Sequence, residues 1–232
     1  MATKSAAIPT STTDQTTRLL LIGGVVGPIL FVVVLLIEGA TRPGYDAWTH
    51  YGSELGLSNQ GWEQIANFIV CGLLSLGFAL GLHRVLHSGK GATWGPILIG
   101  AFGLGLVSAG IFVTDPVHGY PPGTPANANS LSWHGIIHGI SGLVCFIGIA
   151  VACFVIARRF AGNSQWRGWA AYTNITGIVV LGSFVFINVV ISPLADHNIW
   201  LNAPIGLFQR IGIIAGWGWL SLFAFKLLRT PS

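Results

Sequence analysis

His134 and His138 stand one helical turn apart in the run Ser132-Trp133-His134-Gly135-Ile136-Ile137-His138-Gly139-Ile140-Ser141. That spacing puts two imidazoles on one face of a helix. Two histidines at i and i+4, joined by a carboxylate from a neighbouring segment, supply three ligands to zinc and leave a fourth position for water. Asp115 is the carboxylate in reach, so Asp115, His134 and His138 form the expected metal set, with zinc as the cofactor it would hold. A bound metal would bring the pKa of its water down to about 7 and create a nucleophile at neutral pH. The same three residues are then the catalytic candidates, with Asp115 or Glu54 as ligand or general base. The competing structural reading pairs the histidines with Asp115 and with the backbone of the preceding connection, as a helix-packing network.

Arg210 is the second group that calls for an account. It lies about two turns inside an apolar segment, where an arginine costs about 2.5–3.5 kcal/mol on insertion scales unless paired or hydrated. Glu38, Glu54 and Asp115 are the expected partners of a packing clamp. As a functional group, its planar fork would anchor an anionic substrate such as a lipid phosphate, with Ser53 and Glu54 completing a substrate-binding surface. Ser141 and Cys145 continue the histidine stripe along the same helix face, and Ser108 lies two turns beneath Asp115. Asn174, Asn188 and Ser192 form a further stripe. These stripes are expected to face one another, because an unpaired polar group in hydrocarbon costs several kcal/mol.

The elements that position these residues follow from composition. The 232 residues are 52% hydrophobic and 8% charged, whereas soluble domains carry about a quarter charged residues, so the solvent is lipid. Six windows reach the roughly 20 apolar residues that a spanning helix needs: 18–38, 62–86, 93–114, 132–157, 168–192 and 203–228. The first seventeen residues, rich in Thr, Ser and Ala, read as a disordered cytoplasmic tail. The remainder, 18–232, reads as one transmembrane domain. The fold class is therefore all-α, a polytopic six-helix bundle.

Alternating the connections places Lys4, Arg18, Arg84, Lys90, Arg158, Arg159, Arg167, Lys226 and Arg229 on one side and leaves only Arg42 and Arg210 for the other. The positive-inside rule makes the first side cytoplasmic, so both termini are inside a cell (plasma) membrane. The acids segregate the other way, with all but Asp14 at or beyond the outer ends. Polar chemistry is thus concentrated in the outer half. The second outer connection, Asp115 to Pro125, holds four prolines and two glycines, which exclude helix and predict an extended cap over the bundle mouth. The basic residues are scattered singly or in pairs, which excludes a nucleic-acid-binding face. Cys71, Cys145 and Cys153 lie within apolar runs and form no redox motif.

Pro43-Gly44-Tyr45-Asp46, Ser53-Glu54-Leu55-Gly56, Asp115 ending the third span, His138 opening the fourth and Gln209-Arg210 in the sixth together resemble the bacterial and archaeal membrane-protein family catalogued as domain of unknown function 998. The resemblance covers nearly the whole chain after the tail. It implies a six-helix integral membrane protein and no particular activity. The order Ser53, Asp115, His-x-x-x-His is similar in composition alone to the site of the membrane hydrolase superfamily of alkaline ceramidases and progestin-type receptors. That superfamily has seven helices and carries its histidine pair on the last.

Three functions are consistent with this pattern. The first is a structural, regulatory or small-ligand-binding membrane protein with an outward-facing His/Asp/Arg pocket. The second is a metal-dependent membrane hydrolase or lipid-modifying enzyme, and the third a small proton-coupled or anion transporter. The expected partners are membrane lipids and a small-molecule or lipid ligand at the outer face.

Overall fold

Asp14 opens the first helix: its carboxylate accepts from the Thr17 N–H at 2.5 Å, satisfying one of the amide donors that a helix start leaves open. The computed structural model describes residues 14–117, 119–125, 128, 131–197, 199–200 and 202–229. Lys4 and the expected tail up to residue 13 lie outside the described residues, as does His118 of the second connection. Among the described residues seven α-helices follow in order: α1 Gln15–Thr41, α2 Trp62–Val85, α3 Trp94–Ile111, α4 Trp133–Phe160, α5 Arg167–Phe186, α6 Ser192–Asp196 and α7 Ile205–Arg229. A π-helical turn, Ile187–Ile191, joins α5 to α6, so that Ser164–Asp196 forms one long span. Among the described residues six helical segments are long and apolar enough to cross a membrane, and there is no strand beyond the single bridge between Val117 and Tyr120. The chain is an all-helical membrane bundle.

Most boundaries differ from expectation by a few residues, as where α1 runs on to Thr41 and α4 to Phe160, and two of the differences have an evident cause. Gln15–Thr17, expected in the tail, already belong to α1 because the Asp14 cap lies upstream of them. The third span stops at Ile111 and not at 114. The carbonyls of Phe112 and Val113 leave the helix and receive the ring nitrogens of His138 and His134.

Each spanning helix packs on its neighbours in sequence, and α7 closes the ring against α1. No water drives helices together in lipid, so close approach rests on small residues. A Cβ on Gly72 of α2 would stand 2.8 Å from the Gly103 carbonyl of α3, so only glycine lets these two backbones meet. The centre of the ring is filled by Phe31, Phe102, Phe146 and Trp217, with Phe102 edge-on to Trp217 at 4.8 Å. The rim, from Leu19 on α1 to Ile178 on α5, is exposed and apolar, as a surface that meets acyl chains requires.

The two ends of the bundle are unlike. One has short connections, 86–93 and 161–166; the other carries 42–61, 112–132 and 197–204. At the loop-rich end Tyr120 is fully buried, edge-on to Tyr45 at 5.3 Å and 5.3 Å from His50, so the second connection packs on the first. Gly44 has φ +72° and lies against Pro122, where a side chain would collide.

Candidate functional site

Arg210 is 7% exposed and binds the chain itself. Its Nη1 donates to the carbonyls of Ala47 (2.9 Å), Gly206 (3.0 Å) and His50 (3.3 Å), and its Nη2 donates to the Tyr45 hydroxyl at 2.5 Å. Tyr45 in turn lies within hydrogen-bond distance of the His50 and Tyr51 carbonyls, at 3.2 and 3.0 Å. The arginine thus clamps the first connection onto α7, and its partners are carbonyls and a phenol in place of the expected carboxylates. Burial pushes the Tyr45 phenol up to about 12, and that of Tyr51 likewise to about 12.

The carboxylates expected beside Arg210 have other partners. Glu38 lies 3.4 Å from Arg42, which also pairs with Glu63 at 3.0 Å and donates to Leu55 O and Gln60 O, both at 3.3 Å, and to the Ser58 hydroxyl. Glu54 is fully buried and accepts from the Tyr51 N–H at 2.9 Å, capping its own 3-10 turn. His50 accepts at Nδ1 from the Asp46 N–H, 2.9 Å, and packs against Tyr45 and Tyr120.

Asp115 is bound to the start of α4. Its Oδ2 accepts from the Ser132 N–H at 2.8 Å and its Oδ1 from the Ser132 hydroxyl at 2.6 Å, while the Ser132 oxygen accepts from Gly135 N–H at 3.1 Å. Ser132 is therefore the N-cap of α4, with Asp115 holding the cap in place. A Cβ on Gly135 would overlap the Asp115 carboxylate, so the position has room only for hydrogen. The functional weight of Ser132 was open to sequence reasoning: a serine immediately before an apolar periodic run marks a helix start.

The histidines extend the same seam between α3 and α4. His134 Nδ1 lies 3.0 Å from Val113 O and 3.0 Å from Ser132 Oγ, with Asp115 Oδ1 farther off at 3.9 Å. His138 Nδ1 lies 2.8 Å from Phe112 O and 3.2 Å from Ala109 O. A carbonyl only accepts, so Nδ1 carries the proton in both rings, and Nε2 of a neutral ring is an acceptor. Below them Ser141 Oγ reaches Ser108 Oγ at 2.7 Å, and Cys145 Sγ approaches Phe102 O at 3.5 Å. The predicted α4 stripe does face α3.

The α5 stripe does not join it. Asn174 and Asn188 are exposed, and Asn188 bonds the Phe184 carbonyl of its own helix at 2.9 Å. Ser192 alone turns inward, to the Tyr51 hydroxyl at 2.8 Å. Among the described residues no three His, Cys, Asp or Glu side chains are grouped to hold a metal. Asp115, His134 and His138 are neighbours, but the carboxylate is turned to Ser132 and each Nδ1 to a carbonyl.

What the seam encloses is a chamber. A cavity of about 210 Å³ lies between α4, α5, α7 and the first connection, with Ser53, Thr114, His138, Gly139, Asn188 and Gln209 in its wall. A deeper cavity of about 50 Å³ shares Ser53, His138, Gly142, Phe146 and Gln209 with it and continues to Phe31, Gln64 and Trp217. The wall on the α5 side includes Ile187 and Asn188, in the π-helical turn where the Ser192 N–H reaches Ile187 O; such turns recur at functional sites. Gln64 is 0% exposed and Trp217 2%, yet Gln64 Nε2 and Trp217 Nε1 have no hydrogen-bond partner among the described residues. Gln209 Oε1 accepts from the Gly52 N–H at 2.7 Å, which leaves its NH2 group as a donor. Of these residues His138, Ser53 and Asn188 stood out in the sequence, and Gln209 only as part of the motif Gln209-Arg210. The signal for Gln64 and Gln209 was a side-chain amide inside an apolar window, since polar groups in a membrane are costly and mark sites.

Compared with known proteins, the chain matches one family model over residues 25–226, described as protein of unknown function (DUF998). No curated protein and no solved structure matches it. The match spans most of the chain, and the chain belongs to that family.

Proposed function

For this member of the family, we propose a small-ligand-binding protein of the cell membrane whose pocket is the chamber beside His138. Both termini are cytoplasmic in this reading and the loop-rich end faces outward, on the strength of the lysine and arginine bias. His138, Ser53 and Gln209 contact the ligand. Asp115, Ser132, His134 and Arg210 are positioning residues: they fasten α3 to α4 and the first connection to α7, and so hold the walls apart. The observation that carries the reading is the pair of adjoining cavities, about 210 and 50 Å³, with a buried amide donor and a buried indole donor in the inner wall that have no partner among the described residues. A buried donor without a partner costs about 1–3 kcal/mol, a cost that a bound acceptor would offset.

The aromatic plug of Phe31, Phe102, Phe146 and Trp217 favours a closed pocket over the alternative of a proton or anion path through the bundle. The commitment of both Asp115 oxygens to Ser132 favours it over a metal-dependent hydrolase.

Native mass spectrometry of the protein released from its membranes tests the proposal. The wild type should carry a small molecule that is depleted at least ten-fold in a Gly142→Leu variant, whose new side chain enters the space both cavities share. Identical spectra from the two proteins would count against a pocket in this place.

A further inference from the structure

The chemistry of the chamber wall narrows the class of ligand. Among the described residues no Asp, Glu, Lys or Arg lines either cavity. The charged groups nearest in sequence are committed elsewhere: Arg210 to three carbonyls, Asp115 to Ser132, Glu54 to its own turn. A charged ligand would therefore lose its hydration without gaining a counter-ion. The inner wall is rich in donors, with Gln64 Nε2, Trp217 Nε1 and the Gln209 NH2 group set against the imidazole acceptor His138 Nε2, while the Ser53 and Thr114 hydroxyls can donate or accept and the Asn188 amide oxygen accepts at the outer wall. The remaining wall is aromatic and aliphatic, including Phe31, Phe68, Phe146, Phe184 and Ile213.

The chamber has exposed wall positions on the lipid side. Gly139 of α4 and Asn188 of the π-helical turn after α5 belong to its wall and are both exposed, and a Cβ on Gly139 or Gly142 would meet no atom within 4 Å. Both positions lie on membrane-spanning segments, so a ligand can enter from the hydrocarbon.

We infer that the chamber takes an uncharged amphiphile bearing carbonyl oxygens, which enters from the bilayer between α4 and α5 and sets its carbonyls against Gln64, Trp217 and Gln209. This rests on the pocket proposed above. A lipid ester and a quinone share that chemistry and are separated by the choice of probe.

The test uses the purified full-length chain in nanodiscs, with three probes: monoolein, an uncharged ester; decylubiquinone, an uncharged quinone; and oleate, which carries the acyl chain of monoolein with a charge. Binding isotherms and thermal midpoints are measured for the wild type and for Gly139→Leu, Gly142→Leu and Gln64→Leu. The expected result is saturable binding of one uncharged probe, at least ten-fold tighter than oleate, with a raised midpoint. Binding should weaken at least ten-fold in Gly139→Leu or Gly142→Leu and about five-fold in Gln64→Leu, the scale of one lost neutral hydrogen bond. The glycine variants place their side chains in open space and should fold, so they decide the matter if Gln64→Leu does not. Oleate bound as tightly as the uncharged probes, and blocked by the glycine variants, would overturn the ligand class while leaving the pocket. Binding unaffected by both glycine variants would overturn the pocket itself. No saturable binding of either uncharged probe would overturn the class.

Discussion

Asp115, near the start of the connection between α3 and α4, and Ser132, at its end, are joined by two hydrogen bonds of 2.8 and 2.6 Å. The carboxylate that looked like a metal ligand or a base is the anchor of a helix cap. It closes the connection and sets the register in which His134 and His138 reach the carbonyls that α3 releases.

Removing either partner should therefore cost stability. Asp115→Ala and Ser132→Ala are each expected to lower the unfolding free energy by about 1–3 kcal/mol, the range for a lost cap or an orphaned buried donor. The double variant should cost clearly less than the sum, since both changes break one network. Thermal or denaturant unfolding in a mild detergent measures this, and strict additivity would show that the two side chains do not act together.

Gly135 gives a second and sharper test of the same contact. Gly135→Ala pushes a methyl group into the Asp115 carboxylate and should destabilise by about 1–3 kcal/mol, as overpacking does. In an Asp115→Ala background the clash is gone, and the same change should be nearly neutral. Equal costs in both backgrounds would place the carboxylate elsewhere.

Arg210→Lys should release the first connection even though the charge is kept, because an ammonium cannot reproduce the fork that reaches Ala47, His50 and Gly206 carbonyls and the Tyr45 hydroxyl together. Limited proteolysis should cut between residues 42 and 61 at least ten-fold faster than in the wild type. A variant as resistant as the parent would mean the clamp is dispensable.

Tyr45 and Tyr51 supply a pH dependence. Burial raises both phenols to about 12, above the roughly 10 of an unfolded tyrosine. Their contribution to stability is thus complete below about pH 10, where both states hold the proton, and is lost as the pH climbs towards 12, where the unfolded chain has already released it. Absorbance at 295 nm, compared with Tyr45→Phe and Tyr51→Phe variants, should show these two phenols titrating late, with the thermal midpoint falling over the same interval. Titration of both near the ordinary value would contradict the burial.

The polar site was legible in part. Hydropathy located the six spans because an apolar window is a local property, and the same reading placed His134, His138, Ser141 and Cys145 on one stripe, since helical periodicity is local too. Asn174 and Asn188 were misplaced towards the interior: periodicity says which residues share a face, and not which way that face turns. In the structure theirs is exposed.

What the sequence determined by itself is the solvent, the number of spans, the polarised end of the bundle and the membership that its motifs suggested. What only the tertiary structure decided is whom each polar group serves. Arg210 and the histidines mainly bind backbone carbonyls, and every residue carries one, so no residue type announces the partner. The chamber was equally hidden, because a cavity is the space that side chains from several distant segments leave unfilled. It belongs to none of their sequences.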